Sequence, residues 1–136
     1  MPIVEVETDV AQPLFTRRVA KAATLWAIRH GIPANHVLVK FHAMAASQIF
    51  SAGYPLDHVP GQPGARHFAF VSCTVAPDRS PEFCRALAAT LAASMQPEVA
   101  PERLIVTFRT LQRDDVLLGS ELTRAPSEVI HAETRP

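Results

Sequence analysis

The chain has 136 residues, the length of one domain built around one core. It is 48% hydrophobic and 19% charged, which excludes a disordered chain. Its 13 basic and 13 acidic residues cancel, which argues against a nucleic-acid partner, and no apolar run reaches the ~20 residues that span a bilayer.

The chain opens Met1-Pro2-Ile3-Val4-Glu5-Val6. Residues 2–8 alternate polar and apolar, which predicts a strand. This start is acidic and alternating, unlike a signal peptide. With only two cysteines, Cys73 and Cys84, it fits a reducing, cytoplasmic setting. A small residue after the initiator leads to removal of Met1, which leaves Pro2 with a free secondary amine. An α-amino group has a reference pKa of about 7.7–8.0, and desolvation lowers it. A buried Pro2 is therefore a candidate base near neutral pH.

Residues 13–30 predict a helix, with Pro13 suited to the first turn and Gly31 and Pro33 ending it. Phe15, Val19, Ala22 and Trp26 form its apolar stripe, with Leu14, Leu25 and Ile28 beside it. A second strand follows at about 37–43. Lys40 alternates with Val39 and Phe41 and faces the opposite way, together with Leu38 and His42.

Residues 53–66 hold three prolines and three glycines and predict a long loop. The pattern then repeats. Phe70-Val71-Ser72-Cys73 parallels Ile3-Val4-Glu5-Val6, and Ser80-Pro81-Glu82 starts a helix carrying Phe83, Leu87, Leu91 and Met95 on one face. Asn35–Phe41 matches Glu102–Phe108 position by position at an offset of 67. The expected fold is α+β. Two β-α-β units, about 2–43 and 67–109, form one four-stranded mixed sheet with both helices on one face. A single domain covers 1–123, and 124–136 form a tail. The opposite sheet face carries apolar residues and has no cover within the chain, which predicts self-association.

An N-terminal proline, a strand, a crossover helix and a duplicated half resemble the tautomerase superfamily over about residues 2–120. The run His67-Phe68-Ala69-Phe70-Val71-Ser72-Cys73-Thr74, with Asp78-Arg79-Ser80 after it, is similar to the 5-carboxymethyl-2-hydroxymuconate isomerases, enzymes of aromatic catabolism. The superfamily also includes macrophage migration inhibitory factor. The resemblance implies a homotrimeric, cofactor-independent isomerase with Pro2 as general base. It also implies that Arg79 binds a substrate carboxylate.

Arg79 sits before a helix N-terminus, and its planar fork suits a carboxylate. As a plain turn residue it would pair with Asp78. Lys40 stands where the muconate isomerases place strand arginines. It would bind a second carboxylate or polarise an oxygen, or else serve as a strand lysine at a subunit boundary. No histidine or cysteine spacing suits a metal, and no glycine-rich phosphate motif occurs. The expected substrate is a small unsaturated 2-oxo or 2-hydroxy acid. The alternatives are a non-catalytic trimeric binding protein, a hydratase branch, for which Asp114 and Asp115 near the last strand would activate water, or a decarboxylase branch.

Overall fold

The computed structural model describes residues 2–58 and 67–122. The first strand, β1 (Ile3–Thr8), buries Val4, Val6 and Thr8 on one side and leaves Ile3, Glu5 and Glu7 half-buried on the other. The first helix, α1 (Pro13–Arg29), lays Phe15, Val19, Ala23, Trp26 and Ala27 on the sheet. Ala23 therefore takes the stripe position expected of Ala22. Leu14, Leu25 and Ile28 are exposed, because each sits roughly 100° around the helix from a buried neighbour. Gly31 ends the helix at φ 79°, with Gly31 N–H donating to Ile28 O and Ile32 N–H to Ala27 O. That paired closure needs a left-handed residue, which glycine supplies freely, and it seats Ile32 in the core.

After β2 (Leu38–Ala43) comes a small hairpin, β3 (Phe50–Ser51) and β4 (Tyr54–Pro55). Ala52 and Gly53 form its turn, both at positive φ. The expected loop thus begins on a hairpin, and its residues 59–66 lie outside the described residues, as does the tail 124–136. The second unit is β5 (Ala69–Val75), α2 (Pro81–Met95) and β6 (Leu104–Thr110), followed by the short α3 (Gly119–Leu122).

The sheet runs β2-β1-β5-β6. Each unit contributes a parallel pair, and the two units meet through antiparallel β1 and β5. Both long helices cover the face of Val4, Val6, Val71 and Cys73, so the expected fold class holds. Cys73 is buried, and burial first, then the neighbouring Cys84, pushes its thiol up to about 12; it stays protonated at neutral pH.

Ser80 Oγ accepts from Phe83 N–H at 3.1 Å and caps α2. Ser80→Ala leaves that donor without its partner and is expected to lower unfolding free energy by about 1 kcal/mol in urea titrations. An unchanged midpoint and slope would show that the cap adds nothing.

The helix-free face differs from expectation. Register places three rows across it: Leu38–Ile3–Thr74–Arg109, then Lys40–Glu5–Ser72–Thr107, then His42–Glu7–Phe70–Ile105. The middle row is polar throughout, and the apolar residues stand in the outer rows. Strand alternation sends the polar set of each repeat to the same side.

The end of the sheet where β5 begins is closed by polar bonds. Thr8 Oγ1 donates to Phe68 O at 2.6 Å. Asp9 accepts from Phe68 N–H at 3.0 Å and contacts His67 Nδ1 at 3.1 Å. Arg18 binds Ser94 O and Glu98, and its hydrogen bond holds the Glu98 carboxyl below the usual range.

Candidate functional site at the head of the first strand

Pro2 is buried, immediately ahead of β1, and its carbonyl accepts from Leu38 N–H at 3.2 Å. It shares the alternation of Val4 and Val6, which face the helices. Because β1 and β5 are antiparallel, Ile3 lies opposite Thr74, near the end of β5. Parallel pairing brings the end of β6 to the same edge, where Leu111 N–H donates to Val75 O. The turn from β5 to α2, with Arg79, leaves from this edge. Pro2 and Arg79 are thus at one end of the sheet although 77 positions apart.

Arg79 forms no ion pair with Asp78. Its guanidinium lies over the Phe83 ring, 4.6 Å from the centroid, one turn along α2. Stacking uses the face of the guanidinium, so its edge N–H donors remain available in the plane. Phe83 meets Trp26 edge-on at 4.8 Å, and Trp26 stacks on His30 at 4.1 Å. His30 Nδ1 lies 2.8 Å from Trp26 O, and a carbonyl only accepts, so Nδ1 carries the proton. Arg79, Phe83, Trp26 and His30 form one continuous wall from the head of α2 to the tail of α1.

Lys40 is not brought into this group. It is exposed on the helix-free face, with Nζ 3.4 Å from Glu5, whose other oxygen lies 3.6 Å from His42. Its row is one step farther from Pro2 than that of Leu38 and Ile3.

No family model matches the sequence, and no curated protein does. Solved structures match in fold. A fused 4-OT symmetric trimer aligns at a TM-score of 0.69 and 17% identity, over 90% of this chain and 99% of that one. Pt0534 inactivated by 2-oxo-3-pentynoate aligns at 0.69 and 12%, over 88% and 93%. Leishmania major MIF2 aligns at 0.63 and 16%, over 82% and 89%. The fold is that of the tautomerase superfamily.

On this tautomerase fold, sequence reasoning named Pro2 and Arg79 as candidates, which the structure brings to one end of the sheet, and did not single out the residues around them. His30 was read only as a helix end and Phe83 only as core. Trp26 and His30, four apart at the tail of α1, gave a local signal; the packing of Phe83 against them did not. Arg109 was also missed; it is exposed in the row nearest Pro2, on the helix-free face. Asp114 and Asp115 lie in a helical turn (Arg113–Asp115) beyond β6, at the Pro2 end. Among the described residues no group of three His, Cys, Asp or Glu could hold a metal ion, and no helix is long and apolar enough to cross a membrane.

Proposed function

We propose that this chain is a cofactor-independent tautomerase acting on a small unsaturated 2-oxo or 2-hydroxy acid. The observation that carries this reading is the burial of Pro2 at the sheet edge shared with Arg79. With Met1 removed, the Pro2 amine is desolvated and shares its end of the sheet with the Arg79 guanidinium, and both conditions favour its neutral, basic form. The amine takes a proton from the substrate's enol or carbon and returns it to another carbon of the conjugated chain. Arg79 holds the carboxylate and stabilises the negative charge that develops on the dienolate. Proton transfer of this kind contributes about 10²–10⁴-fold, and the step needs neither metal nor cofactor. One protein of this fold is inactivated by 2-oxo-3-pentynoate, itself a 2-oxo acid. Two free cysteines, Cys73 and Cys84, fit a reducing, cytoplasmic location.

The proposed assembly is a homotrimer with the helix-free faces turned to the axis, as one matched structure is a symmetric trimer. There Lys40 would serve a substrate only across a subunit boundary. Light scattering is expected to give three chains per particle at micromolar concentration; a stable monomer contradicts the assembly. The function is tested by following the ultraviolet absorbance of 2-hydroxymuconate as it ketonises. The rate is expected to exceed the uncatalysed one and to rise with pH. No acceleration over buffer would leave the binding-protein reading in its place.

A further inference from the structure

We propose that His30 is a second anion-binding residue of the Pro2 end, and that it makes binding of dicarboxylates proton-linked. The inference rests on the reading of this end as the substrate site. His30 caps α1, and the Gly31 closure that follows fixes the backbone there. Its ring is stacked on Trp26 at 4.1 Å and stands edge-on to Phe83 at 6.1 Å, with an interplanar angle of 89°. Nδ1–H is committed to Trp26 O, so the exposed Nε2 is the nitrogen left for a ligand. The wall packed against it presents Trp26, Phe83 and, over Phe83, the Arg79 guanidinium; no described carboxylate pairs with His30 or Arg79.

Neutral Nε2 accepts hydrogen bonds and repels a carboxylate. Protonated, it donates to one. A ligand that places a carboxylate there therefore binds with uptake of one proton from solvent onto Nε2, forming an imidazolium–carboxylate contact. Arg79 takes the first carboxylate and His30 the second, each beside the Phe83 ring. The site then selects acids charged at both ends over acids charged at one end. It also sets two opposing titrations in one pocket, since binding favours protonated His30 while turnover requires neutral Pro2.

The probes are trans,trans-muconate and trans,trans-hexa-2,4-dienoate, which match in length and planarity and differ by one carboxylate. Neither carries an enol, so neither undergoes the proposed reaction. By calorimetry at pH 7 the wild type is expected to bind muconate about tenfold more tightly than hexadienoate. Heats measured at pH 8 in buffers of different ionisation enthalpy are expected to show greater proton uptake with muconate than with hexadienoate. His30→Ala is expected to erase both the preference and the excess proton uptake with muconate, read as the ratio between the two probes. Arg79→Ala is expected to weaken both probes. A preference that survives His30→Ala, or muconate binding with no more proton uptake than hexadienoate, overturns the inference. Ketonisation reports separately. Proton-linked selection without turnover keeps the anion site and discards the enzyme, whereas turnover with no His30 effect does the reverse.

Discussion

Acylation of the Pro2 amine, or a second residue that prevents removal of Met1, is expected to abolish turnover of 2-hydroxymuconate. An amide nitrogen has no lone pair to offer a proton. The loss is expected to be at least the 10²–10⁴-fold typical of general base catalysis. The fold is expected to persist, because what ties Pro2 to the sheet is its carbonyl, bonded to Leu38 N–H, and not its nitrogen. Intact mass establishes which form is assayed. In the unblocked protein the rate rises with pH as the ammonium loses its proton, and the midpoint is expected below the ordinary α-amino range of about 7.7–8.0. The direction follows from burial, which disfavours the cation. Undiminished rates with a blocked terminus would eliminate the mechanism.

Arg79→Ala is expected to lower kcat/KM by about 10²-fold, in both kcat and KM. The bidentate contact orients the acid before reaction and strengthens as charge spreads along the dienolate, so its removal is felt in the ground state and more in the transition state. Arg79→Lys restores the charge but neither the planar fork nor the stacking on Phe83, and is expected to recover only part of the loss. Stability is expected to change little. Arg79 is exposed, and its contact with Phe83 is worth about 0.5–1 kcal/mol at such a site. Full activity of Arg79→Ala in a folded preparation would remove Arg79 from the site.

The strands, the two helices and the repeat were legible because their signals are local. Alternation at Ile3–Thr8, Ser80-Pro81 at a helix head and Gly31 at a helix end each act within a few residues. The parallel pairs followed from crossover length, Pro2 from the chemistry of an α-amine at the head of a strand, and the role of Arg79 from the family resemblance. What stayed hidden depends on contacts between elements. The position of Phe83 between Arg79 and Trp26 requires the packing of α2 on α1, and no spacing within either helix encodes it. The same is true of Lys40. Alternation gave its facing correctly, but its contact with Glu5 depends on which residue of β1 lies opposite it. Arg79 with Asp78 looked like a natural pair in sequence, yet the ring four residues on is what the guanidinium covers.

The internal repeat has a consequence for stoichiometry. Shifting by 67 carries Pro2 onto Ala69, whose nitrogen is a peptide nitrogen within a continuous strand. Strands, helices and turns can be present twice, but a polypeptide has one beginning. The edge related to the Pro2 edge is instead knitted shut by Thr8, Asp9, Phe68 and His67. On the proposed mechanism, a twofold-like scaffold carries one catalytic amine per chain, and the second half of the molecule frames it.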